Sequence, residues 1–94
     1  MNTQSDYLID MYYILYYLNY NKLDVGKTIK TLNEVKLDSH HKDDLKVKDE
    51  RELAFKCFDC FEHISDVRMN NLKSQYIKEM KFVDELVQKH IFEK

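Results

Sequence analysis

The sequence contains no proline, no tryptophan and a single glycine, Gly26. Residues that break helices are nearly absent, so long helices are the favoured outcome. Cysteine is scarce as well: Cys57 and Cys60 are the whole complement, too few and too close in sequence to staple a small secreted fold, which points to a reducing, cytoplasmic setting. No lysine or arginine precedes Lys22, so the basic leader of a secretory signal is missing. Arginine occurs only twice, against 13 lysines. Together with many Asn, Tyr and Ile residues this suits an AT-rich coding sequence, such as that of a phage or other mobile element.

What is present reads as one globular unit. The chain has 94 residues, of which 44% are hydrophobic and 34% charged, enough for a single domain over residues 1–94 with a modest core. Its 15 basic and 17 acidic residues leave a net charge of −2 and are interspersed. Charge of this kind indicates neither polyanion binding nor a strongly acidic mimic surface.

One stretch dominates. Ser5 to Tyr20, SDYLIDMYYILYYLNY, is almost wholly aliphatic or aromatic. Wound as a helix, it places Tyr7, Leu8, Met11, Ile14, Leu15 and Leu18 on one arc. Tyr12, Tyr13, Tyr16, Tyr17 and Tyr20 fall on the opposite arc with Ile9, and Asp10 and Asn19 mark the seams. It is shorter than the roughly 20 apolar residues of a membrane span and rich in tyrosine, so it is not expected to cross a membrane. A helix apolar on both faces must be covered on both. The aliphatic arc calls for the protein's own core, and the tyrosine arc calls for a second cover, either the other helices of the chain or another polypeptide.

The remaining periodicity is helical. Asp24 is placed to cap a helix over 24–36 in which Val25, Ile29 and Leu32 share a face. Asp49 and Glu52 have the spacing of a capping box for a helix over 49–66, with Leu53, Cys57, Phe61 and Ile64 inward. A straight helix through Asn70 would shift its apolar face, so a break is expected before a last helix over 70–92, bearing Leu72, Tyr76, Met80, Val83, Leu86 and Val87 on one side. The sequence therefore predicts an all-α fold, a small antiparallel bundle of four helices over 5–20, 24–36, 49–66 and 70–92. Leu8, Leu15, Leu18, Ile29, Leu32, Leu53, Phe61, Ile64, Met80 and Val83 are the expected core.

Site chemistry is thin. Gly26-Lys27-Thr28 ends like a phosphate-binding loop but lacks the earlier glycine, that position being Asn21, and the preceding strand. Cys57, Cys60 and His63, with His40 and His41, have the atoms of a zinc site. Residues six apart on one helix lie about 120° apart around its axis, so the three do not converge. The thiols sit beside Asp59 and Glu62, which disfavours a thiolate. Two small buried side chains are the expected role, with neither metal nor disulfide. His40, His41, Asp43 and Asp44 have no partner motif elsewhere. No nucleophile–base arrangement is readable, so neither catalysis nor a cofactor is expected.

The tyrosine arc carries the functional expectation. Rigid area with a polar tip is the chemistry enriched in interface hot spots. The sequence predicts a non-enzymatic regulator that occupies another protein's surface, in the manner of phage anti-defence inhibitors and toxin-immunity proteins. Its contacts are Tyr12, Tyr13, Tyr16, Tyr17 and Tyr20, with Tyr13, Tyr17 and Tyr20 foremost, and a homodimer is expected without a target. The alternative is an oligomeric nucleotide- or nucleic-acid-binding protein in which tyrosines stack on bases and Lys27 and Lys30 meet phosphate.

Overall fold

The structure is a computed structural model and describes residues 4–34 and 45–93. The described residues are all-α and contain no strand. Five α-helices are formed: α1 (Gln4–Tyr20), α2 (Val25–Glu34), α3 (Glu50–His63), α4 (Asp66–Gln75) and α5 (Ile77–Val87), closed by a π-helical turn over Gln88–Phe92. The expected positions 35 and 36 of the second helix lie outside the described residues, as do His40, His41, Asp43 and Asp44.

α1 packs against α2, α3 and α5, and α3 joins it to the C-terminal half of the chain. Its aliphatic arc enters the core as expected, with Met11, Ile14, Leu15 and Leu18 fully buried. Leu32, Leu45, Leu53, Ala54, Cys57, Cys60, Met80 and Val83 close around it. Leu8, Ile29 and Phe61, expected in the core, are instead half-buried and pack against its edge. At full burial a Leu side chain contributes about 1.5–3 kcal/mol, so the four α1 side chains are the largest contribution any one helix makes here.

Asp10 departs further from expectation. It is not a seam residue but fully buried, where its Oδ2 meets the Lys56 ammonium of α3 at 3.2 Å. Lys56 spends its aliphatic stem on the interior and also places its ammonium 5.9 Å from the Tyr7 ring centroid. The amphipathic length of lysine makes this possible: the charge reaches an acid that the apolar pattern alone would turn outward.

The hairpin between α1 and α2 is closed without glycine. Leu23 N–H donates to Leu18 O at 2.7 Å and Lys22 N–H to Asn19 O at 3.1 Å, the paired bonds of a Schellman cap. Lys22 and Leu23 adopt φ of 54° and 64°, the left-handed region in which a side chain costs roughly 1–2 kcal/mol. Asp24 then caps α2 as expected, its Oδ1 accepting from Lys27 N–H at 2.9 Å. The buried Thr28 hydroxyl donates to Tyr17 O at 3.4 Å and holds α2 on α1. Asn33 clamps the returning chain from both sides, donating to Val47 O at 2.8 Å and accepting from Val47 N–H at 3.0 Å.

The second half corrects the expected four helices to five. α3 starts as read: Asp49 Oδ1 accepts from Glu52 N–H, and Glu52 Oε1 reaches back to Lys48 N–H, each at 2.9 Å. It ends at His63 rather than 66, because Ile64 is extended and Ser65 caps a new helix, accepting from Arg68 N–H at 3.4 Å. The expected helix over 70–92 therefore begins at Asp66 and is interrupted again at Tyr76, where φ is −128° and ψ is 67°. Tyr76 itself stays paired on both sides of the break, its N–H donating to Leu72 O and its carbonyl accepting from Met80 N–H. The C-terminal π turn is tied to the start of α3, with Lys89 Nζ 3.3 Å and His90 Nε2 2.5 Å from Glu50 Oε2.

Two expectations concern these joints. Replacing Lys22 by Gly relieves a left-handed side chain and is expected to raise unfolding stability by about 0.5–1 kcal/mol; denaturant titration checks it, and a loss of stability would show that the lysine side chain holds the turn. Hydrogen bonding from His90, then Lys89, holds the Glu50 carboxyl below its ordinary range. A depressed carboxyl stabilises the fold above its unfolded pKa and loses that contribution as pH falls through its folded value. Glu50→Gln should accordingly flatten the acid limb of the stability profile between wild type and variant by less than about 1 kcal/mol, because the pair is partly exposed.

Candidate protein-docking face

The outer side of α1 is a continuous tyrosine surface. Successive rings touch along the helix: Tyr12 and Tyr16 at 6.2 Å, Tyr16 and Tyr17 at 5.1 Å, and Tyr17 and Tyr20 at 6.4 Å between centroids. Several of the contacts are edge-to-face, the arrangement the ring quadrupole favours. Helical spacing brings them together, and their mutual packing leaves each ring few ways to move.

Burial divides the five. Tyr13 and Tyr17 lie near parallel at 6.4 Å and pack against the core. Tyr12, Tyr16 and Tyr20 are 40%, 39% and 71% exposed, and Ile9 joins their row at 37%. The most exposed side chains of this face are thus Ile9, Tyr12, Tyr16 and Tyr20, while Tyr13 and Tyr17 are half-buried. The reason is geometric: α2 closes on the Tyr17 flank through the Thr28 hydroxyl, and Tyr13 shares that flank one turn earlier.

A sixth ring joins from another helix. Tyr76, at the break between α4 and α5, meets the Tyr12 ring at 6.0 Å and 71°. Burial, followed by a hydrogen bond to the Tyr12 hydroxyl, pushes the Tyr76 phenol up to about 12. Tyr17 is also raised, by burial first and then by its tyrosine neighbours. The helix break gives Tyr76 this position, and its place in a helical spacing with Leu72 and Met80 gave no sign of it.

Between α1 and α4 the face opens into a groove of about 280 Å³ lined by Leu8, Ile9, Tyr12, Arg68, Asn71 and Leu72. Its floor is apolar, and Arg68 is the single charged residue that lines it. Arg68 and Asn71 are exposed residues of α4 that no sequence motif singles out.

The other candidates are dispersed. Cys57 and Cys60 are fully buried free thiols, and burial pushes Cys57 well above the ordinary thiol range, with Cys60 adding to the shift. His63 is turned to other partners, stacking on Tyr7 at 4.2 Å and 9° while its Nδ1 lies 2.8 Å from Asp59 O. Among the described residues no group of three His, Cys, Asp or Glu side chains is placed to hold a metal ion. Gly26, Lys27 and Thr28 form the first turn of α2, with the Thr28 hydroxyl committed to Tyr17 O. No described helix is long and apolar enough to cross a membrane. Comparison of the chain with protein-family models, with curated proteins and with solved structures finds no match. The surface itself therefore carries the functional reading.

Alkaline titration tests the ring cluster. A phenol whose folded pKa exceeds its unfolded value near 10 supports the fold below pH 10, and that support is lost as pH rises toward about 12. Tyrosinate absorbance should show a late-ionising phenol that Tyr76→Phe removes. Full ionisation of every tyrosine by pH 11 in folded protein would contradict the Tyr12–Tyr76 contact.

Proposed function

We propose that the protein is a non-enzymatic regulator that binds another protein through the exposed row Ile9, Tyr12, Tyr16 and Tyr20 of α1, acting by occupying its partner's surface. The observation that carries this reading is the packing of the row. The three tyrosines are held by ring-to-ring contacts and, with Ile9, by a helix anchored in the core, yet all four side chains remain open to solvent. Rigid, exposed aromatics lose little conformational entropy on binding, which is why tyrosine recurs in hot spots.

The chemistry of the face agrees. The polar groups of its groove are a guanidinium, a carboxamide and a phenol, which include no acid–base pair suited to proton transfer. The rings pack on one another, so a nucleobase has outward faces to stack on but no slot between neighbours. Among the described residues the groove beside the rings is lined by one cation, Arg68, whereas single-strand binding draws on a positively charged groove along the stacking rings. A role of the inhibitor or immunity type fits a small helical protein of this kind, and a second copy of the chain is a partner the same face would accept in the absence of a target.

Affinity purification from the source cells, comparing wild type with the Tyr16→Ser/Tyr20→Ser double variant, tests the reading. A stoichiometric protein partner should be recovered with wild type and lost with the variant, while helicity is unchanged, because interface aromatics contribute about 2 kcal/mol or more each. Retention of the same partner by the variant would remove the tyrosine row from the interface. Wild type that is monomeric and recovers nothing would sink the proposal.

A further inference from the structure

The groove between α1 and α4 is continuous with the tyrosine row, since Tyr12 belongs to both. We infer that this groove receives an aliphatic side chain of the partner that stands beside a carboxylate, with Arg68 pairing the acid. The inference rests on the protein-binding reading above and specifies which segment of the partner engages it.

Three observations select this occupant. The first is size: at about 280 Å³ the groove falls just below the roughly 300–1,000 Å³ of cofactor and small-molecule pockets, which suits an inserted side chain from a larger partner. The second is lining. Leu8, Ile9, Leu72 and the Tyr12 ring present apolar surface, so the inserted group is a hydrocarbon, as in the pockets that receive interface anchors. The third is charge complementarity. Arg68 is the sole charged residue of the lining, it makes no ion pair with another described residue, and the exposed row of α1 that continues the face, Ile9, Tyr12, Tyr16 and Tyr20, is uncharged.

A guanidinium at the edge of an apolar groove, with no acid of its own lining, matches a carboxylate on the incoming chain. The planar fork of arginine binds it in a bidentate manner that lysine does not reproduce. A basic partner segment would set like charges together in a partly desolvated site. The favoured partner segment therefore carries Leu, Ile or Met within one helical turn of Asp or Glu.

The test uses a displayed library of random peptides panned on the immobilised full-length protein, with binders measured against wild type and against Arg68→Glu, Asn71→Trp and Tyr16→Ser/Tyr20→Ser. Arg68 and Asn71 are exposed, and circular dichroism of each variant verifies that the fold is retained. Selected peptides should combine an aliphatic residue with a neighbouring acid, and should lose roughly tenfold or more in affinity to both Arg68→Glu and Asn71→Trp, about 1.4 kcal/mol. Exchanging the peptide's acid for lysine should restore binding to Arg68→Glu. A library that yields no binders, a consensus without acid–aliphatic pairing, or binders indifferent to both groove variants would overturn the inference. Binders that fail only against the tyrosine double variant would overturn the groove assignment and leave the protein-binding reading standing. Self-association of wild type that Arg68→Glu abolishes would assign the groove to a second copy and overturn it too.

Discussion

Everything in this fold answers to one constraint: α1 is apolar on two opposed faces, and a helix of that kind is stable in water only where both are accommodated. The core face is satisfied completely. Met11, Ile14, Leu15 and Leu18 exclude solvent, and even the acid on that side, Asp10, is taken inside and met by Lys56. Burying a charge pair is costly in desolvation and is compensated only by good geometry. α1 is thereby fixed in rotation about its axis, since turning it would expose leucines and strand a carboxylate. The tyrosine face follows from that fixed rotation.

The rest of the chain serves to hold α1 in place. The Schellman cap at Lys22 and Leu23 turns α2 back onto it, and Thr28 and Asn21 fasten the hairpin with side-chain bonds. Asn33 brings Val47 home and so delivers α3, whose Leu53, Cys57 and Cys60 meet the leucines of α1. Near the far end of α1, Asn19 donates to the buried Glu79 of α5 at 3.2 Å. With α2, α3 and α5 packed on the core side, α4 and Tyr76 are the described parts of the chain that border the outer face. They cover its edge and leave its centre open, which is the physical origin of both the exposed row and the groove.

The helical class, the core arc of α1 and the caps at Asp24 and Asp49 were legible in the sequence because each rests on local spacing or on a residue acting within one turn. Tertiary features were not. The break at Tyr76 hides inside an unbroken apolar rhythm, Met69, Leu72, Tyr76, Met80, Val83 and Val87, that a continuous helix would share. Ser65 caps α4 in the structure, whereas the apolar run through Ile64 carried the expected helix past it to 66. Asp10 looked like a boundary because its partner is 46 residues away in a helix whose placement the pattern does not specify. The tyrosine arc was visible as a set, whereas its division into leaning and exposed rings depends on where α2 and α4 settle. Arg68 and Asn71 carried no signal, being ordinary surface residues until α4 lies beside α1.

Hydroxyl-radical footprinting of the tyrosines, in the free protein and in its complex with the recovered partner, tests the central claim most directly. In the free protein Tyr20 should react fastest, Tyr12 and Tyr16 next, and Tyr13 and Tyr17 slowest. In the complex Ile9, Tyr12, Tyr16 and Tyr20 should become protected together while exposed side chains elsewhere, such as Phe92, keep their reactivity. Equal reactivity of all five tyrosines in the free protein, or protection confined to Phe92 and its surroundings in the complex, would contradict the assignment of the outer face of α1 as the contact surface.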